Sequence, residues 1–263
     1  MGALNALWAY RGFILGSVKR EFQSQYLNSL LGVLWTIIQP LSMIVVYTLI
    51  FSQLMGAKLP GVESGFGYSI YLCAGILTWG LFAEIVTRSL TTFLDHANLL
   101  KKLSFPRLCL PVTVVANASV NFAIILGLFT LFLLISGTFP GWVYFAIFPL
   151  LALHILFAIG LGITFGVLNV FFRDVGKAMG VILWFWFWLT PIVYPITVLP
   201  ESGQAMMAYN PMMHLIGAYQ DILARGVMPD WSSLWSIAAL AVFFCIIGLR
   251  LFRKHAGDMV DEL

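Results

Sequence analysis

Charge is what this sequence has least of. Only 10% of its 263 residues are Asp, Glu, Lys or Arg, while 61% are hydrophobic; a soluble globular domain carries about 25% charged residues. A soluble helical core also needs helices with a polar face, and most of the long apolar runs here have none. The shortage therefore excludes an ordinary water-soluble domain. Cysteine is scarce too. Cys73, Cys109 and Cys245 sit in apolar surroundings without CxxC spacing, which leaves neither a metal site nor a disulfide framework and reads as three small buried hydrophobes. No Gly-x-x-x-x-Gly-Lys-Ser/Thr loop, GxGxxG, His-Glu-x-x-His or Gly-x-Ser-x-Gly run occurs, so no phosphate cradle and none of the familiar hydrolase arrangements is present. A cleavable leader is not expected: the first 28 residues carry Arg11, Lys19, Arg20 and Glu21 and lack a short apolar core before a small-residue cleavage site.

What is present is long apolar sequence. Crossing about 30 Å of hydrocarbon takes about 20 apolar residues, and six segments predict spans: Ser29–Met55, Ser69–Phe93, Leu108–Ile135, Trp142–Phe171, Ala178–Leu199 and Leu234–Leu251. The fold class is all-α integral membrane. Alternate connections then collect Arg11, Lys19, Arg20, Lys101, Lys102, Arg107, Arg173, Lys177, Arg253 and Lys254 on one side, with only Lys58 and Arg225 on the other. The positive-inside rule makes the rich side cytoplasmic and both termini cytoplasmic.

Residues 1–28 predict an amphipathic interface helix, with Leu4, Leu7, Trp8, Leu15, Val18 and Phe22 on one stripe and Arg11 intruding on it. Pro40 interrupts the first span. Residues 56–67, with four glycines and Pro60, read as an external turn. Residues 136–141 form a tight hairpin between spans three and four. The connection 200–230 is too apolar for a solvated loop and too short and Pro-broken to span, which predicts short re-entrant helices at an exit vestibule or packed against the bundle. The chain, 1–263, reads as one membrane domain.

Buried ionisable residues mark functional pathways in membranes because burying them is expensive. Only Glu84 and Arg88 qualify, four apart on span two, a spacing that favours a structural ion pair. His154 reads as structural. Aromatic residues make up 15% of the chain, and Trp184, Trp186 and Trp188 run into Pro191, Tyr194 and Pro195. Trp184 and Trp188 share a face while Trp186 points elsewhere. These rings form either an interfacial belt or the lining of a wide pathway on which the apolar faces of sugar rings slide. Tyr47, Phe51, Tyr71, Trp79, Tyr209 and Tyr219 would extend such a lining. Residues 94–107 form a polar insert between two spans: Asp95 or Asn98 caps a short helix, Leu99, Leu100 and Leu103 give it an apolar ridge, Lys101 and Lys102 its charge, and Arg107 marks the return to the bilayer. Such a helix suits a groove on a soluble partner, with Arg173, Asp174 and the tail 253–263 on the same face; a loop helix lying on the membrane is the alternative.

Together these features resemble the membrane subunit of ABC-2 family exporters, in particular the branch that exports O-antigen, capsule or teichoic acid polymers. The resemblance rests on the interface helix, the six spans, Asn98-Leu99-Leu100-Lys101-Lys102 through Phe105-Pro106-Arg107, Asn169 through Val175, the broken Thr190-Pro191-Ile192-Val193-Tyr194 span and Tyr209-Asn210-Pro211. It implies a homodimeric permease in a bacterial cytoplasmic (inner) membrane, bound to two copies of a separate ABC ATPase that holds ATP and Mg. Residues 94–107 would be the coupling helix and an undecaprenyl-linked glycan, O-antigen first, the substrate. The missing phosphate loop fits that division, and neither a catalytic residue, a metal, a cofactor in this chain nor a nucleic-acid partner is expected. The alternatives are an ABC-2 exporter of a teichoic acid, capsule, drug or lipid, or a membrane enzyme acting on lipid-linked sugars.

Overall fold

A computed structural model describes residues 10–25, 31–50, 66–101 and 108–262, and among them helix is the only regular structure. In chain order the helices are α1 (Arg11–Gln25), α2 (Trp35–Tyr47), α3 (Gly67–Asp95), α4 (Ala97–Leu100), α5 (Cys109–Ile135), α6 (Ile147–Phe171), α7 (Asp174–Trp188), α8 (Glu201–Met207), α9 (Pro211–Gln220), α10 (Trp235–His255) and α11 (Asp258–Glu262). Four are long and apolar enough to cross a bilayer: α3, α5, α6 with its 3₁₀ lead-in from Gly141, and α10. They coincide with predicted spans two, three, four and six to within a turn. The first predicted span is a shorter helix containing Pro40. The fifth, expected over Ala178–Leu199 with a break at its two prolines, is helical as far as Trp188: α7 stops there after 15 residues, and the chain continues through Pro191 and Pro195 as turns and a single 3₁₀ turn, Ile196–Val198. Proline supplies no N–H to the helix and its ring crowds the preceding turn.

Lipid tails are as apolar as leucine, so close packing and polar contacts, rather than apolar burial, hold membrane helices together. The sequence answers with small residues at the crossings. A Cβ on Gly160 would stand 2.9 Å from the backbone nitrogen of Cys245, and one on Gly248 would stand 2.9 Å from Thr164 Oγ1, which brings α6 and α10 nearly backbone to backbone. Thr164 Oγ1 uses that proximity to donate to the Phe244 carbonyl at 3.1 Å. On the other side of α6, a Cβ on Gly166 would lie 2.5 Å from the Ser89 carbonyl oxygen of α3. Helix α3 is the axis of the bundle, with Phe82 fully buried, stacked on Phe157 at 5.7 Å and edge-on to Trp186 at 5.4 Å. A second apolar cluster lies where α3 ends, among Phe93, Leu100, Leu110, Val167, Val170 and Phe252.

The hairpin between α5 and α6 is as tight as expected; Gly137 (φ 69°) and Gly141 (φ 65°) supply the left-handed turns. In the 200–230 connection α8 and α9 are the two short helices anticipated. Asn210 caps α9 by accepting from the Met212 amide at 3.0 Å, and Met212, Leu215, Ile216 and Tyr219 of α9 are fully buried. Of the two alternatives for this segment, α9 takes packing against the bundle.

Candidate functional site

The polar segment that follows α3 begins at His96, whose backbone (φ −111°, ψ 27°) ends one helix and starts the next. Neither Asp95 nor Asn98 caps α4, as the sequence suggested; His96 occupies the N-cap without a side-chain cap bond, its Nδ1 lying 3.0 Å from the Thr92 carbonyl. The expected leucine ridge divides. Leu100 is buried in the cluster with Phe93 and Phe252, and Leu99 packs on its edge. The exposed face of the segment carries Asp95, Asn98 and Lys101. Lys102, Leu103 and Arg107 lie outside the described residues. Arg173 and Asp174 are both exposed in the α6–α7 turn, with Lys177 Nζ 3.8 Å from Asp174 Oδ1.

The two polar turns are joined by Asn169, whose bridging role the sequence gave no cue for. Its Nδ2 donates to the Leu90 carbonyl at 2.8 Å, and its Oδ1 accepts from the Gly176 amide at 2.7 Å. Helix α3, the end of α6 and the start of α7 therefore meet on one buried amide, one turn of α3 before Asp95.

Glu84 and Arg88 are paired as expected, Arg88 Nη2 to Glu84 Oε1 at 3.0 Å. The pair is part of something larger. Arg88 also forms an ion pair with Glu21 of α1, Asn117 of α5 donates to Glu21, and Asn121 donates to Glu84 at 3.0 Å. One guanidinium serves two carboxylates, and each carboxylate receives an amide from α5. The interface helix is thereby fixed to α3 and α5. On α1, Leu15 of the predicted stripe faces outward at 68% exposure, while Phe13, Ser17 and Glu21 line a cavity of about 600 Å³ shared with α3, α4 and α5. Leu4, Leu7 and Trp8 lie outside the described residues.

The aromatic residues sort by burial. Trp184 (61% exposed), Trp188 (51%) and Tyr209 (90%) are on the surface of the subunit. Trp186 is turned inward: its indole donates to Asn210 Oδ1 at 2.8 Å and its ring packs 6.2 Å from Trp79. Trp79, Tyr71 and Tyr219 are buried in the bundle of the single subunit. Tyr47 is half-buried against the core, and Phe51 lies outside the described residues. The broken segment after α7 is held by span-two tyrosines. Tyr71 donates to the Pro191 carbonyl at 2.9 Å, Tyr68 to that of Val193 at 2.5 Å, and Tyr194 returns to the Trp188 carbonyl at 2.9 Å. Pro191 and Pro195 line a second cavity of about 200 Å³ with His214, Asp221 and Asp230. Hydrogen bonds from the Ser232 hydroxyl and amide hold the exposed Asp230 carboxyl below its ordinary range.

His154 is fully buried on α6, stacked over Phe82 at 6.1 Å and facing Tyr219 at 5.8 Å. No group of three His, Cys, Asp or Glu capable of holding a metal occurs among the described residues.

This arrangement has counterparts among known proteins. The chain is 30% identical to the O-antigen export system permease protein RfbA of Myxococcus xanthus over 98% of its own length and 97% of that protein. It is 28% identical to an RfbA permease of Klebsiella pneumoniae over 89% and 88% of the two chains, and 23% identical to the polysialic acid transport protein KpsM of Escherichia coli over 92% and 93%. The family model for ABC-2 type transporters matches residues 14–224, from α1 through the π-turn that follows α9. An all-helical bundle with a polar insert after its central span, a Pro-broken α7 and no phosphate loop thus belongs to the ABC-2 type transporter family.

Proposed function

We propose that this chain is the membrane permease of an ATP-driven exporter that carries a lipid-linked polysaccharide, first an O-antigen-type polymer, across a bacterial cytoplasmic membrane. One observation carries the reading: the relatives that match nearly end to end are named for O-antigen export and polysialic acid transport. The shared element in those names is a long glycan. Six spans then include α2 and α7, with both termini on the cytoplasmic side. Two copies of the permease enclose a path to which Trp184 and Trp188 turn their exposed rings. Flat rings stack on the apolar faces of sugars and hold no single unit deeply, as a sliding polymer requires.

The chain lacks a phosphate loop, so ATP and Mg belong to a separate ABC ATPase, two copies per permease dimer. Residues 94–107 serve as the coupling segment, presenting Asp95, Asn98 and Lys101, with Arg173 and Asp174 beside them. Closure of the ATPase pair pushes this surface, and Asn169 passes the displacement to α6 and α7 as well as α3. Deleting the gene and analysing lipid-linked glycans tests the reading. Undecaprenyl-linked polymer trapped inside is expected; loss of polymer synthesis itself would point to an enzyme, and unchanged surface glycan would overturn the assignment.

A further inference from the structure

The 600 Å³ cavity under α1 lies apart from the aromatic path, takes Asp95, His96 and Leu99 of residues 94–107 into its wall, and falls within the size range of small-molecule sites, about 300–1,000 Å³. Its walls have two characters. Phe13, Leu99, Leu110 and Val114 make one part apolar, and Arg20, Asp95, Asn117 and three threonines make the rest polar. It opens at the end of α3, beside the interface helix, where lipid headgroups lie in the membrane placement proposed above.

The charges on its walls are divided in an informative way. Arg88 is consumed by Glu21 and Glu84. What remains is a cation, Arg20, on α1 and an anion, Asp95, on α3, both lining the cavity and neither paired with an opposite charge among the described residues. Arg20 is poised by a 3.0 Å bond to Ser17 Oγ and by the Phe13 ring 6.0 Å away. Asn117 borders the cavity, with its Oδ1 closed off from the open space. Only 4% exposed, it gives its Nδ2 to Glu21, and its Oδ1 finds no donor among the described residues.

We infer that this cavity is a binding site for a zwitterionic phospholipid of the phosphatidylethanolamine type. The phosphate meets Arg20, and the ammonium meets Asp95. The glycerol and upper acyl carbons lie on the apolar wall. An anionic headgroup would satisfy Arg20 but face the unpaired Asp95 with like charge, so the balance of the walls selects a headgroup that carries both signs. A bound lipid would bridge α1 to the first residues of the coupling segment.

The test is thermal melting of the delipidated full chain in dodecyl maltoside, with dioleoylphosphatidylethanolamine, dioleoylphosphatidylglycerol or soluble glycerophosphoethanolamine added. Ligand in large excess of its dissociation constant raises the midpoint by roughly 5 °C or more, and the ethanolamine lipid alone should do so. Arg20→Gln and Asp95→Asn are exposed substitutions that should melt like wild type without lipid and each lose most of the shift. Equal shifts with the glycerol lipid would overturn the zwitterion selection. An equal shift with the soluble headgroup would overturn the lipid as ligand. A full shift retained in both variants would overturn the site. No glycan or ATP enters the measurement, so failure of the export reading leaves these results untouched.

Discussion

The carboxylate of Glu21 on the interface helix is ion-paired with the guanidinium of Arg88 on α3, 67 residues further along the chain. The same guanidinium holds Glu84 at 3.0 Å, so a single cation stands between two acids. Both Glu21 and Arg88 are about one-third exposed, which keeps the energy of the pair modest. Its position matters more than its strength. Two helical turns beyond Arg88, α3 reaches Asp95 and the coupling segment, so the pair ties the interface helix to the element expected to receive force from the ATPase.

Arg88→Gln should destabilise more than Glu21→Gln. The first leaves two carboxylates facing each other without their cation, a loss of about 1–3 kcal/mol. The second keeps an acceptor for Asn117 and costs about 1 kcal/mol or less. Denaturation midpoints in detergent give the ranking, and trypsin cleavage after Lys19 or Arg20 reports release of α1. If Arg88→Gln melts and resists trypsin like wild type, the network does not hold the interface helix.

The long spans were legible because burial in lipid imposes a run length that hydropathy reads directly. Ser69–Phe93 was expected where α3 runs Gly67–Asp95, and Leu108–Ile135 where α5 runs Cys109–Ile135. The pairing of Glu84 with Arg88 was legible as well, since helical spacing places them together. Glu21 was not, because no local pattern links residues 67 apart. The inward turn of Trp186 escaped for a related reason. In a segment apolar on every side, periodicity cannot say which side meets protein and which meets lipid. The bridge made by Asn169 has no local cue either, since an amide in an apolar helix looks the same whether it bridges helices or faces a cavity.

Asn169→Ala should cost about 1–3 kcal/mol, because the Gly176 amide loses a buried acceptor. Asn169→Asp keeps that acceptor and loses only the donor to Leu90, so it separates the two bonds. If Asn169 transmits the coupling movement, both variants should lower export per ATP hydrolysed more than they lower the amount of inserted protein. Export falling only in proportion to inserted protein would leave Asn169 a structural staple.

Glycine positions offer a comparison within one protein. Gly166→Ala would drive a Cβ to 2.5 Å from the Ser89 carbonyl, which is backbone and cannot swing aside. Overpacking of this kind costs about 1–3 kcal/mol. Gly127, within α5, has nothing within 4 Å of its would-be Cβ, so Gly127→Ala should be neutral or stabilise by about 0.5–1 kcal/mol through helix propensity. Melting midpoints moving in the same direction for both would contradict the close α3–α6 crossing.

The tryptophans of α7 should separate into two classes. Trp186→Ala removes a ring from the core and one of the two hydrogen bonds that Asn210 Oδ1 accepts, leaving the one from the Met212 amide; core Trp-to-Ala changes cost about 3–5 kcal/mol, and poor accumulation in the membrane is expected. Trp184→Ala and Trp188→Ala remove exposed rings, so the protein should insert normally. If those rings form a stacking lane, export of long glycans should fall more than export of short ones. Equal loss for both lengths, measured on surface polymer from cells with matched protein levels, would remove the lane.

Residues 94–107 give the sharpest contrast because Leu99 and Leu100 are not equivalent. Leu100→Asp places a carboxylate among Phe93, Leu110 and Phe252, where a charge without a partner is expensive, so the protein should fail to accumulate. Leu99 lies at the edge of that cluster, and Leu99→Asp should insert with reduced stability. Lys101→Glu and Asn98→Asp change only the exposed face. They should leave insertion intact and weaken capture of the ATPase, read as co-purification of the partner and as ATP hydrolysis no longer tied to export. If the exposed variants keep full partner capture while Leu99→Asp abolishes it at matched protein levels, the ATPase grips the leucine edge and not the polar face that α4 presents.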